Sequence, residues 1–319
     1  MHRRTIIQGA GAALAGAVCG RAAAQSREPI TAIVPFPPGG GTDTSTRIIM
    51  KHAQASLGTS IVVDNRPGGN TIIGMQALVN AEPNGRTLGL VLNSTTANQT
   101  LYKGKLPYSL YRDLAPVCLT HGYAHVLIVS ANFPANSFKE FVAYAKANPG
   151  KVTFASAGTG SVNHLAGELL KNMANLDMLH VPYKGIGSLM PDLIAGRIDA
   201  LFGALPTALD LLRDKRVRIL AVTTPKRQPE VPDLPAIAEF YPGYSFSSWM
   251  GYMVPAATPA AAIERLNAAL VQAVKDPQFT TLMPATQAFG STPQEFLEFL
   301  KADERHVADI ITKAGVKLD

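Results

Sequence analysis

The stretch Thr31-Ala32-Ile33-Val34-Pro35-Phe36-Pro37-Pro38-Gly39-Gly40-Gly41-Thr42-Asp43-Thr44-Ser45-Thr46-Arg47 limits what this chain can become more than any other. A short apolar run stiffens through three prolines and loosens through three consecutive glycines. It then meets hydroxyl and Asp residues of the kind that cap helices. Past Asp43 the apolar positions Ile48, Ile49, Ala53 and Leu57 recur at about helical spacing until Gly58 stops them. The order is strand, glycine loop, helix start. Glycines let backbone amides approach a ligand, and a helix N-terminus carries about half a positive charge of partial dipole. Such a start can receive an anion, and it can equally be a tight turn that holds nothing. No Lys follows the glycines as in a phosphate loop, and their spacing is wrong for a dinucleotide fold.

The first residues read as an export leader spanning 1–24. His2-Arg3-Arg4 is charged, Thr5 to Cys19 is apolar and small, and Ala22-Ala23-Ala24 suits cleavage near Ala24 and a periplasmic destination. The Arg3-Arg4 pair also has the look of a twin-arginine signal. The apolar run is shorter than the ~20 residues a membrane span needs. Taking the three leader arginines from the formal +6 leaves about +3 without a basic cluster, which gives nucleic acid no footing. Beyond the leader Cys118 is the one cysteine, so no internal disulfide can form.

Strands alternate with helices along the remainder, predicting an α/β protein with mostly parallel sheets. Ser60–Asn65 and Thr87–Leu92 read as strands, and Asn93-Ser94-Thr95-Thr96-Ala97-Asn98 as a polar loop at a strand's carboxyl end, where open sheets hold ligands. The opening grammar returns later: strand Lys151–Ser156, loop Ala157-Gly158-Thr159-Gly160, then Ser161 capping a helix. A strand at Ile198–Phe202 breaks at Gly203. The runs His125–Ser130 and Trp249–Pro255 each sit between self-contained α/β blocks. If both cross between lobes, residues 25–124 with 248–319 make one lobe and 125–247 the other, with a hinge and a cleft between them.

Enzyme and metal constellations do not assemble. The six histidines beyond the leader form no His-Glu-x-x-His or Cys-His pattern, and no Gly-x-Ser-x-Gly elbow exists. Ser161 is better read as a cap than as a nucleophile, so no catalytic residue, metal or cofactor is assigned. Binding is better served. The Gly39–Asp43 and Ser156–Ser161 loops lie one in each expected lobe, and two facing anion receptors fit a molecule with two carboxylates. Asp43 would repel that guest and is assigned to holding its loop. His164 can donate to a carboxylate or pack beneath the loop, and Lys184 can sit at the cleft edge or on open surface. Trp249 and Tyr252 read as hinge packing.

These residues resemble the Bug, or TctC-type, extracytoplasmic solute receptors of tripartite tricarboxylate transport systems, from about Pro29 to the C-terminus. The likeness rests on Ile33 to Asp43, Val63-Asp64-Asn65-Arg66-Pro67-Gly68, Pro83-Asn84-Gly85, Ala145 to Lys151, Ser161-Val162-Asn163-His164-Leu165, His180 to Gly185 and Trp249-Met250-Gly251. It implies a bilobal periplasmic binding protein fold, expected as a monomer, that delivers an organic acid to membrane permease subunits. It also implies binding positions at Phe36, Pro38, Gly39, Gly40, Gly41 and Thr42, at Thr95, at Ser156, Ala157, Gly158, Thr159, Gly160 and Ser161, at His164, and at Gly203. The family often has Asp at that last position, so Gly203 implies a roomier or a less polar far end. An exported α/β enzyme acting on a carboxylate or phosphate compound, and a ligand-loaded partner of a sensor kinase, are the alternative readings.

Overall fold

Apolar β-branched runs and amphipathic stretches alternate along the chain, and the backbone follows that alternation. The computed structural model describes residues 28–316, so the leader predicted over 1–24 lies outside the described residues. Strands β1 (Ile30–Val34), β2 (Ile61–Asn65) and β3 (Thr87–Leu92) interleave with helices α1 (Gly41–Leu57) and α2 (Ile72–Val79), and α3 (Asn93–Leu101) follows β3. The single turn α4 (Leu110–Asp113) leads into β4 (Leu114–Ser130). Next come α5 (Phe138–Ala147), β5 (Thr153–Ser156), α6 (Val162–Ala174), β6 (Leu179–Pro182) and α7 (Ile186–Ile194). They are followed by β7 (Ala200–Ala204), α8 (Leu205–Arg213), β8 (Val217–Val222) and β9 (Ser247–Pro255). The chain closes with α9 (Ala260–Lys275), α10 (Pro277–Leu282), the short β10 (Gln287–Ala288) and α11 (Pro293–Ala314).

The strands lie in the order β2-β1-β3-β9-β4-β7-β5-β6, with β8 and β10 also on β4. Pairing is parallel in the two outer groups, β1 with β2 and β3, and β5 with β6 and β7. It is antiparallel in the middle, where β9 joins β3 and β4, and β7 and β8 join β4. The sheet is therefore mixed. Parallel pairing needs helical crossovers, and these supply the helices whose ends matter below.

β4 holds the two groups together. Its residues 114–124 pair with β9, and its residues 125–130 with β7 and β8. Ala124 stands opposite Ser247, and the Phe246 amide bonds the Thr223 carbonyl at 2.9 Å, so the chain returns beside the point where it left. The strand expected at His125–Ser130 is thus the far half of a longer one. Pro116, His121 and Gly122 interrupt the apolar pattern of its near half, and two register shifts there bend the ladder around them.

The core divides likewise. Ile49, Met50, Leu90, Tyr252 and Leu270 pack in one group, and Phe138, Phe141, Leu165, Phe202 and Tyr244 in another. Helix α11 joins the second of these to a further cluster around Trp249, although the sequence boundary at 248–319 puts it with one lobe. Phe296 and Leu300 meet Met75 and Trp249, while Val307, Ile310 and Ile311 join Leu165 and Phe246. Gly251 lets it lie close. A Cβ there would stand 2.3 Å from Phe296 Cζ and 2.7 Å from the Cys118 carbonyl oxygen. Gly251→Ala is expected to cost about 2 kcal/mol through overpacking, seen as a lower urea midpoint at unchanged slope.

Candidate functional site

The first loop is built by one carboxylate. Gly40, extended at φ −77°, is the N-cap of α1, which makes Asp43 the third helical residue. Its Oδ2 accepts from the Gly39 amide at 3.0 Å and from Arg47 Nε at 2.9 Å. Its Oδ1 accepts from Asn65 Nδ2 at 2.9 Å, and Asn65 also donates to the Phe36 carbonyl at 3.0 Å. The Arg47 hydrogen bond, with the Gly39 and Asn65 donors, outweighs burial and holds the Asp43 carboxyl at about 2. Gly39 (φ +84°) makes the turn and gives its amide to Asp43 instead of a ligand. Phe36, Gly41 and Thr42 line the cavity described below, and Pro38, Gly39 and Gly40 do not.

The second loop is also held from beneath. Ser161 caps α6, its Oγ accepting from the His164 amide at 3.4 Å. Ser156 Oγ accepts from the Gly158 amide at 3.1 Å and lies 2.7 Å from His180 Nε2. The Gly160 amide donates to His164 Nδ1 at 3.1 Å, which assigns the proton of the neutral ring to Nε2, 3.7 Å from Glu168 Oε1. Burial, with His180 and Lys171 nearby, pushes His164 down to about 3. His164 is therefore buried as an acceptor for its own loop, with Nε2 toward Glu168. Ala157 and Ser161 reach the cavity, whereas Ser156, Gly158, Thr159, Gly160 and His164 lie outside its lining.

The polar loop expected around Thr95 is instead the helix α3. Asn, Ser and Thr are weak helix formers, but burial of Asn93 through Asn98 overrides propensity here. Thr95 turns back, its Oγ1 accepting from the Leu92 amide at 3.3 Å, and stays out of the cavity. Ser94 takes its place. It is 8% exposed, lines the cavity, and its Oγ has no hydrogen-bond partner among the described residues.

The cavity is about 380 Å³, near the small end of the range for ligand sites. Five helices begin at its wall: α1 through Gly41 and Thr42, α3 through Ser94, α6 through Ser161 to Asn163, α7 through Ile186, and α8 through Ala204 and Thr207. First-turn amides have no acceptor within their own helix, so each start offers donors and positive dipole. Among the described residues, no lining side chain is Lys, Arg, Asp or Glu.

Its rear wall is the crossing point, where Tyr123, His125 and Ser248 sit on β4 and β9. His125 Nδ1 is 3.1 Å from the Phe202 carbonyl, so the proton is assigned there, and Nε2 accepts from Ser248 Oγ at 2.7 Å. Burial drives His125 to about 4. Asn163 Nδ2 donates to the same carbonyl at 2.6 Å. Ser94, Tyr123, His125, Asn163 and Ser248 line the cavity and are not among the candidates that the sequence offers. A polar pair at i, i+2 inside the apolar run of β4 is the signal that would have found two of them.

β7 runs through Gly203, which pairs with Val126, instead of breaking there. A Cβ on Gly203 would stand 2.6 Å from Ile128 Cδ1 and 3.2 Å from Leu201 Cδ2. The far end is thus less polar and not roomier. Lys184 is exposed and away from the cavity. Tyr252 is buried with its hydroxyl on Thr46 at 3.0 Å, and Trp249 packs edge-on against Phe296 and Phe299.

A mixed α/β sheet in two groups, spanned by β4 with the chain returning beside it into β9, and a cavity of helix starts at that point, have the form of a solute-binding receptor of the periplasmic binding protein type. Residues 46–316 match the tripartite tricarboxylate transporter family receptor, TctC. The chain belongs to this family. A protein from the tcbD-tcbE intergenic region of Pseudomonas sp. strain P51 is 36% identical over 290 residues, covering 89% of this chain and 86% of that one. Protein BugT of Bordetella pertussis is 32% identical, covering 91% and 90%. Among solved structures, an R. palustris protein with adipate has a TM-score of 0.83 at 29% identity, covering 91% and 99%. MatC of Rhodopseudomonas palustris with bound malate has a TM-score of 0.79 at 27% identity, covering 89% and 99%.

Proposed function

We propose that the chain is a periplasmic receptor that captures a small organic carboxylate between two lobes, residues 25–124 with 248–319 and residues 125–247. It hands that guest to the permease of a tripartite tricarboxylate-type transporter. One observation carries the reading: five helix starts and a Ser94 hydroxyl unpartnered among the described residues face a cavity that no charged side chain lines. Dipoles and hydroxyls can hold an anion without a fixed ion pair, which suits a protein that must also let go. The relatives solved with adipate and malate support a carboxylate guest. Gly41, Thr42, Ala157 and Ser161 are the contacts we assign from the sequence candidates, with Ser94 and Asn163 added. Receptor action fits an export leader and a monomer that docks only when loaded. No described helix is long and apolar enough to cross a membrane.

Ser248 and His125 form a hydroxyl–imidazole pair at 2.7 Å, the one feature in the cavity that looks catalytic. A base near 4 is a weak acceptor for a serine proton at neutral pH, and its far nitrogen meets a carbonyl where a dyad would want a carboxylate. The pair is better suited to latching β4 to β9. Titration calorimetry of ligand-stripped protein with a panel of mono- and dicarboxylates tests the proposal. Saturable binding is expected, with the guest recovered chemically unchanged by NMR. Turnover of a panel member would replace the receptor with an enzyme.

A further inference from the structure

We infer that the preferred guest carries a single carboxylate on an apolar body, and that it lies with the apolar part against Ile128, Leu201, Ile186 and Met190. This rests on the carboxylate-receptor reading and refines it. Ile128 and Leu201 are direct cross-strand partners, and both belong to the buried cluster against which Ile186 and Met190 pack. Ile186, the first residue of α7, and Met190 are one helical turn apart, so the α7 side chains that reach the cavity are apolar. These four side chains therefore form one continuous apolar end.

Donors gather elsewhere. The α1, α3 and α6 starts bring Thr42, Ser94 and Ser161. On the apolar side α7 begins at Ile186 and α8 at Leu205; Ile186 and Met190 are the α7 side chains that reach the cavity, and Pro206 in the first turn of α8 has no amide hydrogen to give. Gly203 adds no polar group, and the Ile128 tip fills the space beside it. A second carboxylate placed there would shed its water and find no cation, and fewer hydroxyl donors than Thr42, Ser94 and Ser161 supply at the other end. A methylene in the same position gains about fourfold in affinity for each CH₂ buried.

Matched guests decide the matter. Calorimetry of the ligand-stripped protein with hexanoate, butanoate and adipate holds the carboxylate constant and varies the far end. Hexanoate is expected to bind at least tenfold tighter than adipate, and about tenfold tighter than butanoate. Adipate equal to or tighter than hexanoate would overturn the inference while leaving the carboxylate receptor intact, whereas binding by none of the three would remove both. Met190 is only partly buried, so Met190→Lys should fold, as circular dichroism can verify. Its ammonium is expected to reverse the order in favour of adipate. A folded variant that keeps the original order would also overturn the placement. Should the variant not fold, the ranking on the native protein still decides.

Discussion

Ser161→Asp is expected to leave the fold intact and raise the dissociation constant for a carboxylate guest more than a hundredfold. Asp ranks with Ser as an N-cap, so its carboxylate can accept the His164 amide that Ser161 Oγ accepts now. The negative charge also complements the α6 dipole, and the melting temperature should hold or rise. The same carboxylate sits on the wall of the cavity at the place assigned to the guest's charge. Two like charges about 5 Å apart at an effective dielectric near 20 repel by about 3 kcal/mol, a factor above a hundred. Folding and binding thus move in opposite directions in one variant, which no general loss of structure can imitate. Calorimetry alongside thermal unfolding reads both, and unchanged affinity in a folded Ser161→Asp protein would remove the α6 start from the site.

That variant depends on a residue plain in the sequence, and the contrast with its neighbours explains what was legible. Ser161 and Thr42 are short-range features: a glycine loop before an amphipathic helix fixes where the helix begins, whatever the rest of the chain does. The alternation of strands and helices is local in the same sense, so the α/β class could be read directly. Ser94 could not be placed. Choosing Ser94 over Thr95 depends on whether Asn93–Leu101 is a loop or a helix, and that depends on Asn70 and Asn98 meeting across 28 residues. Placing Ser248 beside Tyr123 and His125 needed the pairing of β4 with β9, a contact between segments more than a hundred residues apart.

The glycines show the other side of this. Gly39, Gly158 and Gly160 looked like three open amides, yet the amides of all three are bonded inside their loops, to Asp43, Ser156 and His164. A glycine run announces a turn that needs positive φ, and Gly39, Gly158 and Gly160 all have it. It does not announce which amides remain free. The first-turn amides of the helix just after the run have no acceptor within that helix.

Asp43→Ala is expected to destabilise the protein by about 3 kcal/mol at neutral pH and to weaken carboxylate capture about tenfold, although Asp43 lies outside the cavity lining. The side chain is 3% exposed and accepts from Gly39, Arg47 and Asn65, and each net hydrogen bond is worth about 1 kcal/mol. Removing it frees the Gly39 turn and leaves Asn65 half-partnered, so the loop that sets Gly41 and Thr42 loses its fixed shape. Asp43→Asn keeps oxygen acceptance but not charge, and should fall between. The pH dependence separates this from plain loss of packing. Folding lowers the Asp43 pKa to about 2 from an ordinary value near 3.9, so its ionic contribution is complete above about pH 4. It then fades as pH falls toward 2. Half-exposed Arg47 screens part of that contribution, leaving about 1–2 kcal/mol that titrates. The stability gap between native and Asp43→Ala proteins, measured by urea unfolding, should therefore narrow between pH 4 and pH 2. A gap constant across that interval would mean that shape alone, and not the carboxylate's charge, holds the loop.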